Sequence, residues 1–390
     1  MKRRTLLTST LALGTFGSIR PVWASPAGVL PAYKDDLLVL NEKPINAETP
    51  AHLLDEELTS ASHMFVRNNG LLPLSFDAHS WQVAIDGEAC LHPRSFSLRD
   101  LKETFTWHEL ALQLECGGNG RSEFYPPASG NQWTTGAISC GLWGGVRLRD
   151  VLEVCGVADK AVYVGYYGTD RHLSGDPGKT VISRGVPVAK ALQPETLLAL
   201  ELNGEPIPDL HGGPLRLVCG GYPASVSGKW VNRLVIRDRV HDGEKMGGDS
   251  YRIPCEAVAP GSEVTDEEMC IIESMPVRSL ITYPQSGVHH PLDQSLVLRG
   301  HGWAGERAVA SAVVSIDFGQ TWLPATVNSP RNRLAWQRIQ TNVRFKSRGY
   351  HEVWLKAVDD LGVAQPMVVP GWNPKGYLNN ACHRIAVQVV

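Results

Sequence analysis

The chain has 390 residues, of which 43% are hydrophobic and 20% charged, and its formal net charge is −3. These values describe a soluble globular protein of two or three domains, and the slight acidic excess argues against a nucleic-acid-binding surface. With 38 glycines and 26 prolines the chain is rich in turn-forming residues, so we expect more strand than helix. No segment after the N-terminus is long and apolar enough to span a membrane.

The N-terminus has the pattern of an export signal, which we assign to residues 1–24. The pair Arg3-Arg4 precedes an apolar run from Leu6 to Phe16, and a small-residue cleavage site follows. Paired arginines before an apolar run are typical of twin-arginine export, which carries folded proteins. An ordinary secretory signal is the alternative. Either signal takes the mature protein out of the cytoplasm, so we expect it in the periplasm.

The next two segments predict an arm and a mixed domain. Residues 25–60 are polar and contain several prolines, and we predict an extended N-terminal arm with a short helix. From 61 to 258, strand-like and helix-like segments mix without the alternation of a doubly wound sheet, which predicts an α+β fold. Ser97 is suited to cap one helix and Gly156 to end another. No glycine-rich nucleotide-binding motif is present.

The C-terminal part of the chain has a different pattern. After a segment rich in proline, glycine and acidic residues at 255–275, short alternating strands follow one another. Turn-forming residues recur between them, for example Asp317-Phe318-Gly319. This pattern is typical of an immunoglobulin-like β-sandwich, which we place at 259–390.

One stretch of the α+β region combines a cysteine with several glycines. A strand-like run from Leu112 stops at Cys116, and Gly117-Gly118-Asn119-Gly120-Arg121 follows. Glycines allow a sharp turn, and the first two would let the backbone come close to a cofactor. A cysteine at such a turn can present its sulfur to a bound group. A buried structural cysteine before a loop is the alternative.

Eight cysteines are scattered over the chain, at positions 90, 116, 140, 155, 219, 255, 270 and 382. No two have CxxC spacing, and no CxxCH motif is present, so this chain attaches no c-type haem. An exported protein can form disulfides. The spacing leaves their pairing open.

Several segments, in a fixed order, resemble the sulfite oxidase family of molybdenum enzymes, and most of all its bacterial, haem-free periplasmic sulfite dehydrogenases. The matching segments are Phe65-Val66-Arg67-Asn68, Leu114-Glu115-Cys116-Gly117-Gly118-Asn119, Trp133-Thr134-Thr135-Gly136-Ala137-Ile138, Asn203-Gly204, His211-Gly212, Pro214-Leu215-Arg216, Lys229-Trp230, Asp249-Ser250-Tyr251, Gly371-Trp372-Asn373 and Asn380-Ala381-Cys382-His383-Arg384. The resemblance implies a sulfite-oxidase-type molybdopterin-binding domain, an immunoglobulin-like dimerisation domain and a homodimer. It also implies molybdenum on one pyranopterin dithiolene.

The resemblance assigns roles to single residues. Cys116 corresponds to the thiolate ligand of molybdenum, and a soft sulfur ligand suits that metal. The residues that correspond to cofactor-binding positions are Phe65, Val66, Arg67, Asn68, Asn69, Asp170, His211, Arg216, Ser227, Gly228 and Lys229. The residues that correspond to the catalytic pocket are Arg67, Arg121, Arg384, Trp133 and Tyr251. Arginines suit a small oxyanion because their planar fork matches its geometry.

The chain departs from the family pattern at one position. Asn69 stands where vertebrate-like members carry histidine, and an amide cannot take a proton near neutral pH. The Asn form resembles bacterial, haem-free members. No region before residue 60 resembles the family's cytochrome b5 domain, so we expect no haem in this chain.

The expected activity is molybdenum-dependent oxidation of sulfite to sulfate, with electrons passed to an external c-type cytochrome. The main alternative is the sulfane dehydrogenase subunit of a thiosulfate-oxidising complex, which shares the fold and cofactor but acts on carrier-bound sulfur. The export signal and the lack of haem and flavin domains argue against an assimilatory nitrate reductase. A non-catalytic binding module on the same fold is the alternative from a different class.

Overall fold

The computed structural model describes residues 29–75 and 77–390. The predicted export signal at 1–24 lies outside the described residues. Over the part of the chain that is described, no helix combines the length and the apolar character needed to cross a membrane. Strands dominate the molecule, as the glycine and proline content predicts.

The first described segment forms a small antiparallel sheet. Its strands, in the order β1-β2-β3, are β1 (Leu38–Glu42), β2 (Ile45–Glu48) and β3 (Val66–Arg67). Short 3-10 helices at Ala32–Lys34 and Ala51–Leu54 flank β1 and β2. The segment predicted as an extended arm therefore contains strands, and it pairs with the strand that carries Arg67.

The α+β domain is built on two five-stranded sheets. Its further elements are β4 (Gln82–Asp86), β5 (Arg94–Ser97), α1 (Leu98–Thr104), β6 (Trp107–Glu115), β7 (Ile138–Arg147), α2 (Leu148–Cys155), β8 (Tyr163–Gly168), β9 (Gly185–Pro187), α3 (Val188–Ala191), β10 (Thr196–Leu202), β11 (Glu205–Pro206), β12 (Arg216–Cys219), β13 (Val231–Arg237), β14 (Arg252–Pro254) and β15 (Met269–Ile271). One sheet has the order β11-β10-β7-β6, with β12 also paired to β10, and the other has the order β5-β4-β13-β8-β9. Strands β14 and β15 pair separately.

The helix ends follow local sequence signals. The Ser97 hydroxyl accepts from the Asp100 N–H at 3.0 Å, and the Asp100 carboxylate accepts from the Ser97 N–H at 2.8 Å. This reciprocal pair satisfies two of the free N–H groups at the start of α1. Gly156, with a φ of 69°, ends α2. Both helix ends are as predicted.

Two apolar clusters pack on opposite faces of the sheet that contains β10. Leu198 and Leu200 belong to the cluster around α2 and the second sheet. Leu197 and Ala199 belong to the cluster that also contains Cys116. Alternate residues of a strand point to opposite faces, so this sheet is covered on both sides. The last five residues of β6 are all buried, and Cys116 follows them into the interior.

The second domain is an immunoglobulin-like β-sandwich, as predicted. Its strands are β16 (Val277–Tyr283), β17 (Val288–His290), β18 (Leu296–Ala304), β19 (Val309–Ser315), β20 (Leu323–Val327), β21 (Gln337–Val343), β22 (Gly349–Asp359) and β23 (His383–Val389). They pair in the order β16-β18-β21-β20-β19-β22-β23-β17. Leu298 and Ile339 from one half of this order pack in one core with Val353 and Ile385 from the other half.

One disulfide lies near the end of the α+β domain, beside β14 and β15. Cys255 and Cys270 are bonded with their Cα atoms 5.1 Å apart, and this bond joins the β14 and β15 region. The other six cysteines, Cys116 among them, carry free thiols. The cysteine spacing did not predict which cysteines pair, and the structure contains one disulfide, between Cys255 and Cys270.

Candidate functional site

The turn after β6 fixes Cys116 at the end of a buried strand. Its N–H donates to the Ala137 carbonyl at 2.9 Å, and its own carbonyl accepts from the Asn119 N–H at 2.9 Å. The residue is 5% exposed. The thiol therefore sits at a tight turn with both backbone groups satisfied, where its position is well defined.

A buried carboxylate anchors this turn to the second domain. Glu115 is 1% exposed, and its Oε1 accepts from Arg278 Nη1 and from Asn119 Nδ2, each at 3.0 Å. Its Oε2 accepts from Trp303 Nε1 at 2.7 Å. Arg278 lies on β16 and Trp303 on β18. A buried charge needs such full pairing, so both domains determine where the cysteine turn lies.

Two cavities meet at Cys116, and we call them the inner cavity and the outer cleft. The inner cavity is lined by Met64, Phe65, Arg67, Asn68, Asn69, Leu114, Cys116, Gly117, Ser139, Tyr166, Asp170, Ile182, Arg216, Ala224, Ser225, Ser227, Lys229, Trp230 and Tyr251. The outer cleft is lined by Asn41, Pro44, Asn46, Arg67, Asn69, Cys116, Arg121, Ser129, Gly130, Asn131, Lys245, Ser250, Tyr251, Lys375 and Tyr377. Most of the predicted site residues are therefore together around one thiol.

The inner cavity holds cations that have mainly neutral partners. Lys229 Nζ donates to Asn68 Oδ1 at 2.7 Å and to the Leu210 carbonyl at 2.8 Å. Arg216 Nη1 donates to the His211 carbonyl at 2.9 Å, whereas its buried Nε has no partner. Burial, with Arg216 nearby, holds the pKa of Lys229 well below its ordinary value, and burial lowers the pKa of Arg216 to about 10. A bound anion would relieve both effects.

The remaining polar groups of the inner cavity are an acid and hydroxyls. Burial raises the pKa of Asp170 to about 6, although Lys229 opposes the shift. The hydroxyls of Ser139 and Ser225 are buried without partners. The inner cavity thus offers unused donors as well as cations.

These groups fit the molybdenum–pyranopterin cofactor that the sequence implies. The cofactor's phosphate tail needs cationic and hydrogen-bonding partners, which Lys229, Arg216 and Ser225 supply with unused donor capacity. Its metal needs a soft protein ligand, and the Cys116 thiol stands where the inner cavity opens into the outer cleft.

Three predicted cofactor residues lie behind the inner cavity without lining it. Val66 is buried in β3 and pairs with Ala47. His211 is 1% exposed, and burial together with nearby cations holds its pKa well below the usual range, so the ring is neutral. At Gly228 a Cβ would lie 2.5 Å from the Tyr166 ring, so only glycine fits. These residues shape the inner cavity from behind.

At the junction, Arg67, Asn69 and Tyr251 form one hydrogen-bonded group. Asn69 Oδ1 accepts from Arg67 Nη2 at 2.9 Å and from the Tyr251 hydroxyl at 3.1 Å. Burial opposes the charge on Arg67, but its pKa is raised because Tyr251 and Cys116 lie beside it. The Asn69 amide oxygen is therefore a neutral acceptor that orients both Arg67 and Tyr251. It stands at the position where vertebrate-like members of the family carry histidine.

Arg121 lines the outer cleft and is held by its neighbours. Its Nε donates to the Lys375 carbonyl, and its Nη1 donates to the Asn131 carbonyl at 2.8 Å. Its guanidinium carbon lies 5.1 Å from the centre of the Tyr377 ring. A Cβ at Gly118 would lie 2.2 Å from Arg121 Nη2. We predicted that the lack of a side chain at Gly118 would let the backbone approach a cofactor. In the structure, the Arg121 guanidinium occupies that space instead.

The second domain contributes outer-cleft residues that sequence reasoning missed. Lys375 lines the outer cleft and pairs with Asp249 at 2.9 Å. The Tyr377 ring stacks on Tyr251, with 5.8 Å between ring centres and 12° between planes. Both residues follow directly after the matching segment Gly371-Trp372-Asn373. A cationic and an aromatic side chain so close to a matching segment are the sequence signal that could have indicated these two positions.

Two predicted pocket residues line neither cavity. Trp133 is fully buried, and its ring packs edge-on to Phe65 with 6.3 Å between centres. Arg384 is exposed on β23, 5.5 Å from the Trp354 ring, and lines a separate groove. The alternation of a strand turns neighbouring side chains to opposite faces, and sequence order alone did not reveal which face Arg384 takes.

Two family models match the chain. One is described as an oxidoreductase molybdopterin binding domain and matches residues 69–245. The other is described as a Mo-co oxidoreductase dimerisation domain and matches residues 269–390. The predicted order of a molybdopterin-binding domain followed by a dimerisation domain is confirmed.

Known proteins resemble the chain over most of its length. It is 34% identical over 380 residues to the mitochondrial sulfite oxidase of Mus musculus, an alignment that covers 92% of this chain and 68% of the mouse protein. It is 33% identical to the sulfite oxidase of Gallus gallus, covering 89% and 77% respectively. The sulfane dehydrogenase SoxCD from Paracoccus pantotrophus shares its fold, with a TM-score of 0.74 at 24% identity over 96% of each chain.

Proposed function

Because this chain belongs to the sulfite oxidase family of molybdenum oxidoreductases, we propose that it is a sulfite dehydrogenase that passes electrons to an external c-type cytochrome. The observation that carries the proposal is the outer cleft. Arg67, Arg121, Lys245 and Lys375 line an open cleft that reaches Cys116. A small oxyanion could enter this cleft and meet cations at the place where the metal would be held.

The reaction converts sulfite and water into sulfate, two protons and two electrons. When bound, the molybdenum cofactor supplies the oxygen-transfer and two-electron redox chemistry. The protein's own task is to hold the cofactor through Cys116 and the inner cavity, and to bind and orient the anion.

Arg67 and Arg121 are the groups that would bind sulfite. Their hydrogen bonds go to carbonyl, amide and hydroxyl oxygens, and no carboxylate of the described residues forms an ion pair with either. Their charge is therefore available to an incoming anion, and guanidinium forks match its oxygens. The Tyr251 hydroxyl, oriented by Asn69, lies where it can hydrogen-bond substrate or product.

The electron acceptor and the cellular location of the protein are proposed from the sequence. A c-type haem accepts one electron at a time, so two reduced cytochromes would form for each sulfite. The export signal at 1–24 supports a periplasmic location. Replacing Arg3 and Arg4 together by lysine should keep the protein in the cytoplasmic fraction of the producing cell if export uses the twin-arginine route. Export of that variant would point to an ordinary secretory signal instead.

The dimerisation domain supports a homodimer, and we propose that the working enzyme is one. Sedimentation analysis of the loaded protein should give twice the chain mass. A monomer at micromolar concentration that oxidises sulfite at full rate would show that dimerisation is dispensable.

A steady-state assay tests the activity. Protein with one molybdenum per chain should reduce oxidised cytochrome c on addition of free sulfite, with two cytochromes reduced per sulfate formed. Molecular oxygen is the comparison acceptor and should support a much slower rate. A fully loaded protein that leaves free sulfite unchanged with both acceptors would contradict the proposal.

Sulfane dehydrogenase activity is the second candidate, since the solved structure with that name shares the fold over 96% of both chains. Such an enzyme acts on sulfur attached to a carrier. Turnover of a carrier-bound persulfide together with failure on free sulfite would favour it. Turnover of free sulfite by the isolated chain favours the sulfite dehydrogenase.

A further inference from the structure

Four side chains from separate parts of the chain form a series of ring contacts beside the outer cleft. Arg121 lies 5.1 Å from the centre of the Tyr377 ring. Tyr377 stacks on Tyr251 at 5.8 Å, and Arg184 lies 4.6 Å from the centre of the Tyr251 ring. We call this series the cation–tyrosine stack. It runs from a guanidinium of the anion site, through one ring of each domain, to a second guanidinium.

The Arg184 end of the stack is buried. Arg184 is 1% exposed, and its Nη1 donates to the Lys245 carbonyl at 3.4 Å. Burial lowers its pKa, whereas the nearby Tyr251 and Tyr166 rings favour the charged form. A buried cation with aromatic partners is stabilised by contact with their π faces. Arg184 therefore fixes the Tyr251 ring from inside the first domain.

Tyr251 also has an unusual backbone conformation. Its φ is 55°, in the left-handed region that residues other than glycine rarely adopt. Its N–H donates to the Tyr377 hydroxyl at 3.3 Å, and its own hydroxyl donates to Asn69. Tyr377 thus contacts Tyr251 through both its ring and its hydroxyl.

The geometry points to Tyr377 as a positioning residue for anion binding. Resting on the proposed function, we propose that its ring holds Arg121 and Tyr251 in place, so that the second domain sets the affinity of the outer cleft for a sulfur oxyanion. Pre-organised partners lose less conformational freedom on binding. Without the ring, Arg121 keeps its two carbonyl partners but loses its aromatic contact. Tyr251 then loses its stacking partner as well.

The first test compares Tyr377→Leu with Tyr377→Phe. Sulfate binding is followed by calorimetry, and molybdenum content and sulfite kinetics are measured on the same samples. We expect Tyr377→Leu to raise the sulfate Kd and the sulfite KM together by about tenfold. This is the size of effect expected when the ring contact is lost and the contact between Arg121 and the anion is weakened. Its kcat should change by less than about threefold. Tyr377→Phe keeps the ring but loses the hydroxyl that accepts from the Tyr251 N–H at 3.3 Å, so its sulfate Kd should rise clearly less than that of Tyr377→Leu.

A double-variant cycle separates positioning from a general structural effect. If Tyr377 acts through Arg121, then Tyr377→Leu should raise the sulfate Kd much less when Arg121→Lys is already present. Tyr350→Leu is the control, since Tyr350 is an exposed tyrosine of the same domain. It should bind sulfate like the wild type. If the leucine variant loads poorly, Tyr377→Met supplies the same comparison with an unbranched side chain.

The outcomes distinguish this inference from the proposed function. Failure of the wild type to oxidise sulfite would refute the sulfite dehydrogenase assignment, while the sulfate measurements would still test the stack. Wild-type sulfate affinity in a fully loaded Tyr377→Leu protein would overturn the inference. Full additivity in the cycle, or no sulfate binding by the wild type, would overturn it as well.

Discussion

The inner cavity and the outer cleft share Cys116 but differ in how their cations are held. In the inner cavity, Lys229 and Arg216 are enclosed by the first domain, and burial lowers the pKa of both. In the outer cleft, Arg121 is in contact with the second domain through Lys375 and Tyr377. One region is a cationic cavity lined by the first domain, and the other is a cleft lined by residues of both domains.

This difference matches two kinds of anion. A group that stays bound can neutralise buried cations permanently, so a costly unpaired charge is acceptable in a cavity that the group fills. A substrate that must leave needs cations that remain satisfied when the site is empty. Arg121 has carbonyl and ring partners that meet this need. Substitutions in the two regions should therefore change different measured quantities.

The largest effect is expected from Lys229→Met in the inner cavity. Loss of a charge-assisted contact to the cofactor should lower the molybdenum and pterin content per chain by about ten- to a hundredfold. The sulfite KM of the loaded fraction should stay within about twofold of the wild-type value. Metal analysis and kinetics on the same sample give both numbers. Lys346→Met, at an exposed position, is the control, and full loading of Lys229→Met would remove the distinction between the two cavities.

A smaller effect, of a different kind, is expected from Arg121→Gln in the outer cleft. The sulfite KM should rise by about tenfold or more because one guanidinium contact to the anion is lost. Molybdenum content should remain that of the wild type. Arg384→Gln is the matched control, since this exposed arginine lies on β23 outside the outer cleft. A higher sulfite KM in Arg384→Gln would show that Arg384 contributes to sulfite binding. An unchanged sulfite KM in Arg121→Gln would show that Arg121 does not.

The smallest effect concerns the cofactor-free protein and Asp170. Its pKa is raised from 3.8 to about 6 by burial, so the folded chain binds more protons than the unfolded chain between those values. The free energy of unfolding should therefore fall as pH rises from about 4 to 6, by at most roughly 3 kcal/mol. Asp170→Asn should lack this fall, whereas Asp293→Asn at an exposed position should keep it. Denaturant titrations across that range check the slope, and identical slopes in all three proteins would place Asp170 in a solvated environment.

Much of the inner cavity could be predicted from the sequence because its residues lie in short matching segments. The Phe65 to Asn69 stretch and the turn before Lys229 each carry neighbouring side chains into one cavity. The order of those segments along the chain was sufficient to propose these residues as cofactor-binding residues. Their local geometry follows from strands and turns that the same residues encode.

The outer cleft was predicted less completely because it depends on how two domains dock. Tyr377 meets Tyr251 across 126 residues of chain, and no local pattern indicates such a contact. Arg384 was expected in the pocket, but strand alternation turns it to the surface. Lys375, nine residues earlier in the sequence, lines the outer cleft instead. Which side chain of a matching segment reaches a site is decided by register and docking.

The buried pair of Glu115 and Arg278 limits how far the two halves of the enzyme can be treated as exchangeable modules. A chimaera that joined the cofactor-binding half to a foreign β-sandwich would leave the Glu115 carboxylate without Arg278 and Trp303. Losing one partner of a buried ion pair costs about 3–5 kcal/mol, a large part of the roughly 5–15 kcal/mol that keeps a protein folded. Recombination between the domains would therefore have to transfer these three residues together.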